Sequence, residues 1–302
     1  MLPDDWHLTH DVDDLLARAG DFLRSRAALH NTPLTDLEKL RTSSGAAGRH
    51  AGTAVFGRLE SEGVVRAVFY LTPPGRLGLT PLSAERTGTL AARLASLGHA
   101  PAHVIADHAT AGAFAKSWQR HTGVPSVPFW RTHLYRLGTL IPPRPRPEGR
   151  GRRTAGADRE QVVRWCREFC VDVGERHSLG LIDAGSFEDS RFGDRHFTFW
   201  ETPDGTPVSM AASTAVVGGM VRVDPVYTPA RFRGRGYAGA VTFEASRAAQ
   251  AAGATDVVLF TDPDNATSNA LYRRLGYVHV DDFAGYRFSY GGFSYGAPEG
   301  AG

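Results

Sequence analysis

Cysteine is nearly absent: Cys166 and Cys170 are the only two in 302 residues. They stand four apart on a helix-like stretch and lack the spacing of a zinc site or a redox pair, so both are expected to be buried, reduced thiols. Long apolar runs are missing too. No stretch approaches the roughly 18 residues that a membrane-crossing helix needs. The start, Met1-Leu2-Pro3-Asp4-Asp5, is acidic and has no secretory apolar segment. These absences predict a soluble, cytoplasmic protein without membrane partners. Charge of one sign is lacking as well: the net charge is +2, which argues neither for nor against nucleic acid. Lysine is confined to Lys39 and Lys116, so arginine carries the positive charge; with abundant Gly and Ala, this reads as genomic composition rather than function. No nucleotide-binding Gly-x-x-x-x-Gly-Lys-Ser/Thr run occurs.

What is present suffices for two domains. The length exceeds the usual single-domain size, and 42 % hydrophobic residues can fill two cores. Val12, Leu15, Leu16, Ala19, Phe22 and Leu23 recur at helical spacing over 11–28, with Asp11 or Thr9 as cap. A short helix over 35–41 follows. Strand-like runs cover 52–59, 63–71 and 77–79, and then helix 83–97, strand 103–106, helix 110–121 and strand 129–137. Residues 141–153, with four Pro-Arg or Arg-Pro steps and five arginines, read as a stiff basic linker. It is either solvated or a strip that contacts phosphate. Beyond it come a helix from Asp158 to Val173, a polar Gly-punctuated loop over 180–194, a hairpin of 196–201 with 208–215, strand 219–228, helix 238–252, strand 256–261, a second helix and a final hairpin (278–280, 286–289). The tail after Tyr290 reads as loose. The two halves repeat one order of elements, which predicts an internal structural duplication. The predicted division is 1–140, the linker 141–153, and 154–302.

The densest chemistry lies at Val226-Tyr227-Thr228-Pro229-Ala230-Arg231-Phe232-Arg233-Gly234-Arg235-Gly236-Tyr237-Ala238. A strand, a glycine turn and a helix start succeed one another here. A helix start offers unpaired N–H groups and a positive dipole end, and glycine lets a ligand approach that backbone. The result is an anion site suited to phosphate or pyrophosphate.

The spacing Arg233-x-x-Gly236-x-Ala238 resembles the coenzyme A loop of the GNAT acyltransferase superfamily. Asn265, Asn269, Tyr272 and Leu275-Gly276-Tyr277, after the next strand, resemble that family's second signature. The resemblance is strong over 207–289 and architectural before it. It implies an α/β (α+β) fold of two GNAT-like lobes, each a mixed, mostly antiparallel twisted sheet flanked by helices. The N-terminal lobe is degenerate: its matching turn, Thr80 to Arg86, has no glycine and carries Glu85, which repels a pyrophosphate. The resemblance also implies acetyl-CoA or another acyl-CoA as donor, no metal, and an amine acceptor in a bacterial, monomeric or dimeric enzyme. Strands four and five of the lobe are expected to splay after a bulge at Asp224-Pro225. Val226, Tyr227 and Thr228 would then receive the pantetheine arm, and Gly234 to Ala238, including Tyr237, the pyrophosphate. Arg233 and Arg235 would supply charge, while Asn265 or Asn269 would bond pantetheine amides. Tyr272 would protonate the leaving thiolate. Asp224 is a candidate base, with Glu201, His196 and His279 as other options. The family pattern has proline three residues before its arginine, where Ala230 stands here. A second register, Arg231-x-x-Gly234-x-Gly236, fits the same pattern.

Two other readings share these residues. A GNAT-like fold could take an aminoacyl group from tRNA, which the basic linker and arginine-rich loop would suit. A non-enzymatic acyl-CoA-binding regulatory module is the third; no DNA-reading helix accompanies it.

Overall fold

The computed structural model describes residues 5–44 and 54–290. The start of the predicted 52–59 strand, Met1 to Asp4 and the tail after Tyr290 lie outside the described residues. The chain divides into two compact units, 1–134 with 280–294 and 135–279 with 295–302.

In the first unit, strand β1 (Asp5–Thr9) leads to helices α1 (Val12–Ser25) and α2 (Asn31–Ser44). Asp11 starts α1 by accepting the amides of Asp13 (2.8 Å) and Asp14 (3.4 Å). The stripe Val12, Leu15, Ala19 and Leu23 is buried, as its spacing predicts. Strands β2 (Val55–Ser61) and β3 (Val64–Thr72) form a hairpin. Its turn is Glu62-Gly63, both at positive φ (55° and 75°), the combination a two-residue hairpin loop requires. Then come β4 (Arg76–Leu79), α3 (Ala84–Ser96), β5 (His103–Asp107), α4 (His108–Thr122) and β6 (Ser126–Leu137). β1 to β4 pair antiparallel in sequence, and β4 pairs parallel to β5. Trp6, Phe69, Leu77, Leu90, Leu94, Phe114 and Trp118 fill the core. Strand β1 carries no alternation long enough to mark it in the sequence; it forms because Trp6 packs 5.4 Å from Phe69.

The second unit repeats the order. Strand β7 (Arg150–Arg153) precedes α5 (Arg159–Val173) and α6 (Arg176–Asp183). They are followed by β8 (His196–Glu201), β9 (Pro207–Ser213), β10 (Met220–Tyr227), α7 (Tyr237–Ala251), β11 (Asp256–Thr261), α8 (Ala266–Arg274) and β12 (Tyr277–Phe288). Strands β7 to β10 pair antiparallel and β10 pairs parallel to β11. Successive strand residues alternate between two cores. Met210 and Ala212 join Trp165, Phe199 and Tyr227 with α5, while Ala211 joins Val241 and Ala245 of α7. Both cysteines are buried and free.

Four expectations need correction. The basic linker is partly a strand: 150–153 pairs with β8. Arg152 bonds Glu201 (2.7 Å) and Asp158 (2.7 Å), Arg153 meets His196 and Arg146 meets Glu244. Asp158 therefore serves Arg152 and the amide of Ala155 instead of capping α5. The polar stretch after Gly180 is not all loop, since α6 runs through Asp183 with Glu175 as its cap. The final hairpin is one strand, β12, whose Phe283–Arg287 stretch pairs antiparallel with β5 of the first unit. The chain end thus returns to the first core, where Ala284 and Phe288 are buried and the Tyr290 hydroxyl accepts from Trp118 Nε1 (3.1 Å).

Candidate functional site

β10 and β11 pair only from Met220–Arg222 with Asp256–Val258. Past Arg222 they part. On its other side β10 stays attached to β9, but the register shifts between Val223 and Val226. That shift brackets Asp224-Pro225, where proline has no N–H for a ladder. Ser209 secures the end of the strand: its hydroxyl donates to the Tyr227 carbonyl (3.1 Å) and meets the Thr228 hydroxyl at 2.8 Å. A strip of β10 backbone therefore faces away from β9 with no strand beside it.

The chain then makes a 3-10 turn over Ala230–Phe232. Gly234 and Gly236 sit at φ 75° and 81°, the left-handed region glycine favours. Gly236 is the residue just before α7. Among the described residues, the amides of Gly234, Arg235 and Gly236 donate no hydrogen bond, and the first-turn amides of α7 have no helical acceptor. A methyl at Gly234 would meet nothing within 4 Å; one at Gly236 would stand 3.7 Å from Pro147 Cδ. Arg233 turns away from these amides. Its Nη2 donates to Asp172 (2.5 Å) and its Nε to the Thr228 carbonyl (2.9 Å), tying the turn to α5. Arg235 is exposed.

Helix α8 begins after Asn265, whose side chain accepts the Ser268 amide at 3.0 Å. Asn269 is a different case. It is buried, and its Nδ2 donates to the carbonyls of Asp262 (2.8 Å) and Asn265 (2.9 Å). Its Oδ1, equally buried, accepts from nothing. A buried acceptor left open costs roughly 1–3 kcal/mol. One turn on, Tyr272 is buried against Tyr277. Burial, with the Asp224 carboxylate nearby, pushes its hydroxyl above the usual tyrosine range and keeps it protonated.

Asp224 is ion-paired. Arg191 Nη2 lies 2.5 and 2.6 Å from its two oxygens. Burial opposes its charge, but Arg191, Arg195 and Arg222 together hold its carboxyl below the usual carboxylate range. The other bases suggested by sequence lie elsewhere. Glu201 is bound by Arg152 on β8. His196, also on β8, is held by Arg153 and its proton affinity is lowered by burial. His279 stacks edge-on against Tyr135. The thiols of Cys166 and Cys170 are raised by desolvation, Cys170 to about 12, so they stay inert. Arg191 and Arg195 escape sequence reading because they sit in a segment without periodicity. Ser209 gives no local signal at all.

The first unit lacks this opening. Past β4, the Thr80 amide bonds back to the Val68 carbonyl (3.0 Å). Thr110 of α4 takes both the Leu82 amide (2.8 Å) and the Leu82 carbonyl (3.3 Å). The degenerate turn is closed by β3 backbone and by Thr110 of α4.

Residues 160–277 match the family described as Acetyltransferase (GNAT) family. Three solved structures share the fold. A GCN5-related N-acetyltransferase from Sphaerobacter thermophilus is 20 % identical with a TM-score of 0.56, covering 95 % of this chain and 96 % of that one. A tandem GNAT protein from the clavulanic acid biosynthesis pathway is 13 % identical with a TM-score of 0.56, covering 93 % and 98 %. A GCN5-related N-acetyltransferase from Kribbella flavida is 20 % identical with a TM-score of 0.51, covering 74 % and 87 %. No curated protein matches the sequence. No described helix is long and apolar enough to cross a membrane.

Proposed function

We propose that this protein is an acyl-CoA-dependent N-acyltransferase that moves an acetyl group from acetyl-CoA directly to an amine. The observation that carries this is the parting of β10 from β11 at the bulge, beside open amides at Gly234 to Ala238. An extended pantetheine arm adds to such an edge as a strand does. The Tyr227 carbonyl turns to β9; with the alternation of a strand, Val226 offers its backbone to the opened side. Thr228 and Arg233 shape the corner. Because Gly236 immediately precedes α7, the register opened by Arg233 fits. Arg235 and Tyr237 then flank the pyrophosphate, with Arg235 as the charge that meets it. Asn269, rather than the helix cap Asn265, accepts an amide N–H of the arm.

Transfer begins with a neutral amine attacking the thioester carbonyl carbon. As the tetrahedral intermediate collapses, the carbon–sulfur bond breaks, the nitrogen gives up its proton to solvent, and the Tyr272 hydroxyl protonates the departing thiolate. Asp224 belongs to the site as the anchor of Arg191; an ion-paired carboxylate is a weak proton acceptor. Proximity supplies much of the rate once the amine is deprotonated. The tRNA-dependent reading rested on the linker arginines and the arginine-rich loop; of the linker arginines, Arg146, Arg152 and Arg153 already have partners within the unit. Calorimetric titration with acetyl-CoA tests the proposal. Micromolar binding that disappears in Gly236→Glu is expected. Absent acetyl-CoA binding, with salt-sensitive tRNA binding instead, would overturn it.

A further inference from the structure

Beside the opened strand lies a guanidinium, Arg191, whose own carboxylate engages only one of its nitrogens. Arg191 comes from the segment after α6, and its guanidinium lies over Phe192 (5.1 Å to the ring centroid) and Phe169 (5.9 Å). Asp224 takes only Nη2. Nη1 and Nε donate to nothing among the described residues, and the side chain remains 39 % exposed. The planar group is therefore held by two rings and one carboxylate while two of its nitrogens stay open. Such a fixed guanidinium binds carboxylate with little loss of freedom.

Arg195 adds to this. Its side chain is 7 % exposed and one Nη bonds Asp194 at 3.2 Å. Its Nε is buried without any acceptor. A buried guanidinium nitrogen without a partner is costly, and the cost is relieved by an anion that enters the site. Arg222 is the third guanidinium acting on Asp224. Glu175 also acts on Arg191; its oxygens accept the Ser178 amide, both at 3.1 Å, and one meets the Cys170 thiol at 3.6 Å.

We propose that the acceptor is an amine that also carries a carboxylate, of the amino-acid class, and that Arg191, backed by Arg195, seats that carboxylate. This rests on the acyltransferase reading and names the acceptor for it. Asp224 pairs with Arg191, and its charge is also felt at Tyr272.

The test uses the full chain saturated with CoA. N-acetyl-L-alanine, N-acetyl-L-glutamate and N-acetyl-L-phenylalanine are each titrated against the analogue lacking the α-carboxylate, N-ethylacetamide for the first. At least one carboxylated probe is expected to bind tenfold or more tightly than its neutral counterpart. Arg191→Gln should remove that preference, while Arg191→Lys keeps part of it. Asp224→Asn, which releases Nη2, should tighten carboxylate binding; a purely structural ion pair would give no gain. Melting curves report whether each variant is folded. Equal binding of charged and neutral probes, no binding of any carboxylated probe, or an unchanged preference in folded Arg191→Gln would each overturn the proposal. The acetyl-CoA titration is read separately: if it fails while the carboxylate preference persists, the acyltransferase reading falls and the anion seat stands.

Discussion

Asn265 and Asn269 are four residues apart and chemically identical, yet their environments assign them different work. Asn265 caps α8, so Asn265→Ala should lower stability by about 1 kcal/mol and leave acetyl-CoA affinity unchanged. Asn269 keeps a buried acceptor open. Asn269→Ala should weaken acetyl-CoA binding about tenfold, a loss of roughly 1.4 kcal/mol, which calorimetry of the two variants measures side by side. Tyr272 is raised above the ordinary tyrosine value by burial first and Asp224 second. It remains a proton donor past the pH at which an exposed tyrosine ionises, so activity should show no tyrosine-dependent decline until above about pH 10. Tyr272→Phe should reduce kcat by about a hundredfold with acetyl-CoA affinity retained. Asp224 has the opposite sign. Its folded-state value is depressed, so the stability it contributes is present above the unfolded value of about 3.9 and is lost as pH falls through the folded value. Asp224→Asn should flatten that part of the acid-denaturation profile.

At the scale of elements, α7 joins sheet and turn. Gly236 lies immediately before it at φ 81°, and Val241, Ala245 and Ala249 pack it on the sheet. Gly236→Ala fits the space but not the backbone angle. It should cost about 1 kcal/mol of stability, read by denaturant unfolding, and raise the KM for acetyl-CoA. The two signatures around α7 and α8 were legible because each depends on local sequence: glycines where φ is positive, a cap four residues before Asn269. The sequence also marked Asp224-Pro225 as the interruption, because proline cannot join a ladder. Which partner each residue takes there was not legible. Arg233 was read as a phosphate ligand but is turned to Asp172 by the fold of α5.

At the scale of the whole molecule, the first unit is built from both ends of the chain. β12 begins in the second unit, and its Phe283–Arg287 stretch completes the sheet of the first by pairing with β5. Truncation after His279 should therefore damage the first unit: Ala284 and Phe288 leave its core, and β5 is left with an unpaired edge prone to aggregation. The expected result is a lower melting temperature and aggregation of the truncated chain, read by thermal unfolding and light scattering; a truncated protein that melts like the full chain would count against this role for β12. A fragment lacking residues 1–134 has the converse defect, since it carries Phe283–Arg287 without β5.

The sequence by itself determined most of the helices and strands in their order, their repetition in the two halves, and the glycine turn at a helix start, because periodicity, capping and glycine angles act within a few residues. Only the tertiary structure decided that β12 returns to the first unit, that the basic linker ends as strand β7, and that Asp224 is held by Arg191. Strand partners and ion pairs are chosen among groups far apart in the chain. Pairs such as Arg191 and Asp224, 33 residues apart, meet only after burial has fixed both backbones, and no local pattern encodes that meeting.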